Sequence, residues 1–143
     1  MIHQTSFLNI NLNIKYRYLN IFYFLLSKSL SATIKSDEYF NIYTEKTKEY
    51  GDKTAVLIEC GSFYEIYDDG SGLNDMKELG DILNIQVSRR NKAIIEVSRT
   101  NYEMAGFPSH ALKKFIHILL SYNYTIVVVS QVTPPPNPKR SVT

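Results

Sequence analysis

The sequence predicts a small α/β domain, with a mixed β-sheet flanked by helices. Two observations carry this. Short runs rich in β-branched residues, at 54–60 and 124–130, alternate with segments whose apolar residues recur at helical spacing. Gly, Asp-Asp or Pro punctuation separates these segments, which keeps every element short. Strands alternating with helices imply one sheet with helices packed on it. No internal repeat is present.

The globular part is expected to begin near Ser36. Ser36 or Asp37 can cap a helix, and Glu38 suits its positive end. Tyr39, Phe40, Ile42, Tyr43 and Tyr50 give that helix an apolar stripe, which Lys46 interrupts, and Gly51 is a natural stop. Thr54–Cys60 is apolar almost throughout and reads as a central strand. Gly61 and Ser62 break it, Phe63–Tyr67 forms a second strand, and Asp68-Asp69-Gly70 is a turn. Leu73, Met76, Leu79, Ile82 and Leu83 mark a second helix.

Ile85–Arg90 alternates apolar and polar residues, as a strand with one wet face does. Residues 91–104 are polar apart from Ile94-Ile95 and read as a loop or β-excursion. Pro108 suits the first turn of a helix whose apolar face is Ala111, Leu112, Phe115, Ile116, Leu119 and Leu120. Tyr124–Ser130 is another buried strand. Pro134-Pro135-Pro136 and Pro138 stiffen the chain into an extended segment. The expected organisation is an extension over 1–35 without an assigned role, a domain over 36–133, and a Pro-rich linker over 134–143 leading to a further domain.

Charge is segregated along the chain. Residues 1–36 carry +4, residues 37–88 carry −8 and residues 89–143 carry +6. The basic part holds Arg89, Arg90, Lys92, Arg99, Lys113 and Lys114, candidates for an anionic partner. Read alone, each is an ordinary surface residue. Cys60 is the single cysteine, so no intramolecular disulfide forms, and its apolar setting suggests an inert thiol. No apolar stretch reaches the roughly 18–20 residues of a membrane span. The acid-free residues 1–35 suit an organellar targeting peptide or a plain extension.

Two motifs carry the functional reading. Gly61-Ser62-Phe63-Tyr64-Glu65 directly follows a strand, and Met104-Ala-Gly106-Phe-Pro108-Ser-His110-Ala111 precedes a helix. Their order, separation and context resemble the N-terminal mismatch-recognition domain of MutS-family DNA mismatch repair proteins, over about residues 37–143. Tyr50–Thr54, Ile82–Arg90, Val127–Val132 and Lys139-Arg140 fit the same pattern. Ser62 departs from it, since an acid is common there, and residues 1–36 match nothing in it.

The resemblance implies that Phe63 wedges into a mismatched duplex and stacks on a base, while Glu65 hydrogen-bonds that base. The chemistry suits the task. A mispaired base is cheap to unstack, and a flat apolar ring stacks on any base without demanding a partner. Glu65 lies two residues on, so in a strand both side chains leave the same face and Tyr64 points inward. Read alone, Phe63 and Tyr64 are core aromatics and Glu65 a solvated acid. Tyr67, Phe107 and Phe115 are assigned to packing, Gly61 and Gly106 to backbone geometry, and His110 to a structural hydrogen bond.

The resemblance further implies mismatched or looped double-stranded DNA as partner, a dimeric full-length protein, and an intracellular, DNA-associated setting without a membrane. It implies ATP and Mg for the full-length protein, through a C-terminal domain. No G-x-x-x-x-G-K-[ST] occurs in this sequence, so this chain is expected not to be an enzyme and to hold no cofactor or metal. Two alternatives stand beside this reading. One is structure-specific DNA binding by a divergent member without mismatch specificity. The other is a small metal-dependent nuclease built from Glu59, Glu65, Asp68, Asp69 and Lys53.

Overall fold

In the computed structural model, residues 36–133 and 139–143 are described, together with the backbone of Ile21 and Phe22. The elements in chain order are β1 (Ile21–Phe22), α1 (Ser36–Tyr50), β2 (Thr54–Cys60), β3 (Phe63–Asp68), α2 (Met76–Leu83), β4 (Ser88–Arg89), β5 (Glu103–Pro108), a 3-10 turn (Ser109–Ala111), α3 (Leu112–Ser121), β6 (Thr125–Gln131) and β7 (Arg140–Val142). Among the described residues the strands form one sheet in the order β1-β7-β6-β2-β3-β5-β4. Only β2 and β6 pair in parallel, with Thr54 opposite Thr125 and Ile58 opposite Val129; the other neighbours are antiparallel. The sheet is mixed and helices flank it, as the sequence predicts.

The period-two alternation of the strands divides the core in two. On one face Val56, Ile58, Tyr67, Val127, Val129 and Val142 pack under α1, which contributes Tyr39, Phe40, Ile42 and Tyr43. On the other face Ala55, Leu57, Tyr64, Ile66, Ala105, Phe107, Ile126 and Val128 pack under α2 and α3. Strands β2 and β6 are buried on both sides, which is why their sequences are continuous apolar runs rather than alternating ones. Lys46 interrupts the stripe of α1 only in composition. Its stem is buried while its ammonium reaches Glu45 at 2.9 Å and Glu49 at 3.0 Å.

Four segments differ from the sequence reading. First, the helix expected from Leu73 begins at Met76. Asp75 caps it by accepting the Glu78 N–H at 2.8 Å, and the carbonyl of Leu73 instead receives the Tyr43 hydroxyl. Second, the strand expected over Ile85–Arg90 shrinks to Ser88–Arg89. The Ile85 N–H is spent on the Gly80 carbonyl, closing the end of α2, and Asn84 there takes φ +51°.

Third, residues 103–108 form a full strand, where the end of a loop or β-excursion and the start of a helix were expected. Pro108 ends β5 instead of opening α3, and the 3-10 turn intervenes. The extended segment expected over 134–143 also gives way near its end. Arg140–Val142 returns to the sheet and pairs antiparallel with Val129–Gln131. The prolines from Pro134 to Pro138, and the extension apart from Ile21 and Phe22, lie outside the described residues. No helix among the described residues is long and apolar enough to cross a membrane.

Candidate nucleic-acid interface

The connection between β2 and β3 fixes where the candidate reading pair stands. Cys60 pairs with Phe63, so only Gly61 and Ser62 form the loop. Gly61 takes φ +61°, which the first position of a tight two-residue hairpin turn requires and a side chain there would resist. This turn places Phe63 at the very start of β3, at the end of the sheet. Phe63 is 46% exposed, unusual for an aromatic in a strand, whereas its neighbour Tyr64 is buried and stacks on Phe107 at 6.2 Å.

Phe63, Glu65 and Tyr67 leave the same face of β3, the face that α1 covers further along at Tyr67. Glu65 is half-buried. It lies opposite Ile58 on one side and Gly106 on the other. A β-carbon on Gly106 would stand 3.0 Å from the Tyr64 carbonyl oxygen and 3.2 Å from Glu65 Cγ, so the glycine lets the acid lie close against β5. The Tyr67 hydroxyl donates to Glu65 Oε2 and sits 3.5 Å from Cys60 Sγ.

Burial dominates the electrostatics behind this face. It pushes the Tyr67 hydroxyl far above the ordinary tyrosine range, with Cys60 and Glu65 adding to the rise. Burial also pushes the Cys60 thiol up to about 11, partly offset by the Tyr67 hydrogen bond and the Arg140 cation. That supports the expectation of an inert thiol. Arg140 itself is buried on the same face, and its Nε and Nη2 have no hydrogen-bond partner among the described residues. The sequence reading used it as charge and as part of the Lys139-Arg140 match, and gave it no place in the sheet. Its signal is the alternation Arg140, Val142, too short to recognise behind four prolines.

The second motif stands beside the first. Pro108 is the cross-strand partner of Phe63, and the Ser109 N–H donates to the Ser62 carbonyl at 2.8 Å. His110 is exposed in the 3-10 turn and makes no hydrogen bond among the described residues, in place of the structural bond expected of it. Met104 lies in β5 opposite Tyr67, at the covered end of the face.

The six candidate backbone-contacting bases are not brought together. Lys113 and Lys114 are exposed in the first turn of α3, just past Ser109, and therefore lie at the Phe63 end of the sheet. Arg89 pairs with Glu103, which pairs with Asp68 at the opposite end of β3. At the strand rise of roughly 3.3 Å per residue, that is about 17 Å from Phe63. Arg90 and Lys92 follow Arg89 into the loop, Arg90 leaning over the Tyr102 ring at 5.7 Å. Arg99 is held by Asp69 at 3.2 Å and Asp37 at 3.5 Å, and lies over the Phe40 ring.

The acids weighed as a magnesium site are likewise apart. Glu59 faces the side opposite Glu65 and accepts the Gln131 N–H at 2.7 Å. Asp68 accepts the Gly70 and Asn74 N–H groups of its turn, Asp69 pairs with Arg99, and Lys53 with Glu78 at 2.8 Å. Among the described residues no three His, Cys, Asp or Glu side chains gather closely enough to hold a metal ion.

The sequence model described as MutS domain I matches residues 38–143. A mutS homolog of Acanthamoeba polyphaga mimivirus is 34% identical over 95 residues, which is 65% of this chain and 8% of its own length. The DNA mismatch repair protein MutS of Chlorobium phaeobacteroides is 34% identical over 97 residues, 68% of this chain and 10% of its own. That of Chloroflexus aurantiacus is 27% identical over 107 residues, 71% of this chain and 10% of its own. The chain thus spans about a tenth of the length of these curated relatives. With about three quarters of its residues matched by the family's sequence model, and a mixed sheet flanked by helices, the chain belongs to the MutS domain I family.

Proposed function

We propose that this chain acts in DNA mismatch repair by binding mismatched DNA, with Phe63 as the wedge and Glu65 as the polar contact. The observation that carries the reading is the exposed ring of Phe63 at the end of β3, on the same face as Glu65. An aromatic outside both core clusters and half-exposed there can enter a weakened base step and stack. Glu65, two residues along, reaches the displaced base from the same side. A carboxylate near phosphates weakens binding to intact duplex, so the pair favours discrimination over raw affinity. Lys113 and Lys114, at the same end of the sheet as the wedge but on the helix that packs against the opposite face, are the bases best placed to neutralise flanking phosphates. The names of the relatives support the mismatch-repair assignment.

In this reading the chain itself performs no catalysis, and ATP, Mg and dimerisation belong to other parts of a full-length family member. The deciding experiment compares binding to a G·T or single-base-bulge duplex with its perfect homoduplex at low salt, for wild type and Phe63→Ala. Wild type is expected to prefer the mismatch and Phe63→Ala to lose that preference while folding normally. A folded Phe63→Ala protein that discriminates as wild type does would overturn the wedge. An unfolded one would make Phe63 a core residue.

A further inference from the structure

The polar contact at Glu65 has a second residue behind it. Tyr67 is among the most tightly held side chains of the α1 face. Its ring meets Tyr39 edge-on at 4.7 Å and Tyr102 at 4.6 Å. Its backbone N–H donates to the Tyr39 hydroxyl at 3.2 Å, and that hydroxyl in turn donates to the Val56 carbonyl at 3.1 Å. A ring fixed in this way delivers its hydroxyl to one place. That place is Glu65 Oε2, with Cys60 Sγ as the only other hydroxyl neighbour among the described residues.

We propose that Tyr67 is a positioning residue for mismatch discrimination, holding Glu65 by one carboxylate oxygen so that the other is presented beside Phe63. A free glutamate on a surface strand samples many rotamers, and ordering it upon binding costs affinity. Here the hydroxyl of a buried, immobile ring orders it in advance through a charge-assisted hydrogen bond. Gly106 closes the other side, because no β-carbon pushes the acid away from β5. Burial keeps the Tyr67 hydroxyl protonated throughout the working pH range, so the donor is always available. Cys60 supplies no competing charge, its thiol being protonated at neutral pH. The inference rests on the mismatch reading of Glu65.

The test is a double-mutant cycle in the complete polypeptide. The ratio of mismatch to homoduplex affinity is measured for wild type, Tyr67→Phe, Glu65→Ala and the pair. Tyr67→Phe keeps the ring and removes only the hydroxyl. It is expected to lower the ratio about fivefold, the scale of one immobilised side chain, with homoduplex affinity unchanged. In the Glu65→Ala background it should change nothing, because there is no carboxylate left to hold. An unchanged ratio in Tyr67→Phe overturns the proposal. So does an equal drop in both backgrounds, which would make the hydroxyl merely structural. Should Tyr67→Phe fail to fold, 3-fluorotyrosine at position 67 keeps ring and hydroxyl and strengthens the donor. The ratio should then rise, and one that does not move overturns the assignment. A wild type without mismatch preference would instead sink the underlying reading of Phe63 and Glu65. A wild type with that preference, matched by Tyr67→Phe, sinks only the role of Tyr67.

Discussion

Glu65 and Gly106 are cross-strand partners on β3 and β5, and they lie closer together than a β-carbon on residue 106 would comfortably allow. Gly106→Ala would bring a methyl within 3.0 Å of the Tyr64 carbonyl oxygen, which backbone pairing holds in place. Overpacking of this kind costs about 1–3 kcal/mol. Glu65, the movable neighbour, is expected to swing outward. Denaturant melts should show that loss of stability, and the mismatch-to-homoduplex ratio should fall with it. Wild-type stability together with a wild-type ratio would mean that the close approach is unimportant.

The placement of the bases predicts an uneven salt dependence. Lys113 and Lys114 stand at the Phe63 end and are exposed, while Arg99 is already spent on Asp69 and Asp37. Replacing both lysines with Gln should reduce the slope of log affinity against log salt by about 2, one for each phosphate that is no longer neutralised. Arg99→Gln should leave the slope near wild type. Titrations at several salt concentrations decide it, and equal effects from the two substitutions would contradict this division of the surface.

Much of this architecture was legible in the sequence because its signals were strong and local. Thr54–Cys60 and Thr125–Gln131 are buried on both faces, so their sequences are almost purely apolar. Strand β5 was not legible. Its alternation rests on Ala105 and Phe107 alone, and Gly106 between them carries no side chain to show the opposite face. Strand β4 was over-read because the Ile85 N–H caps α2, a competition invisible in hydrophobic periodicity. At the site, period two put Phe63 and Glu65 on one face correctly. It could also have placed Tyr67 there, but the reach of its hydroxyl back to Glu65 depends on the ring orientation that Tyr39 and Tyr102 impose.

The Asn101 side chain makes three of the hydrogen bonds that hold the loop between β4 and β5. Buried Asn101 donates to the carbonyls of Ile94 at 3.2 Å and Glu96 at 2.7 Å, and accepts the Asn91 N–H at 2.8 Å. Asn101→Ala removes all three bonds at once. With partial rescue by water, a local loss of about 2 kcal/mol is expected. Hydrogen exchange should read it as faster exchange at Asn91 and its loop neighbours, with β2 and β6 unaffected. Unchanged protection at Asn91 would show that the loop is held by something else.

Alkaline conditions should unfold this domain earlier than its core size suggests. Burial raises the Cys60 thiol to about 11 and the Tyr43 hydroxyl to about 12, and lifts Tyr39 and Tyr67 further still. Each of these groups keeps its proton in the folded chain at a pH where the unfolded chain releases it. The unfolded state then binds fewer protons, so stability falls as pH rises. The contribution is intact below the unfolded values, roughly 8.5 for Cys and 10 for Tyr, and drains away above them. Melts should therefore be flat from neutral pH to about 8.5 and decline steeply beyond about 10. Tyrosinate absorbance from Tyr39, Tyr43 and Tyr67 should appear together with unfolding rather than before it. At pH 8 only about one Cys60 in a thousand is thiolate, so alkylation of the native chain should be far slower than of the denatured one. Rapid native labelling, or a tyrosinate signal from Tyr39, Tyr43 or Tyr67 in a still-folded domain, would show these groups to be more open to solvent than the structure places them.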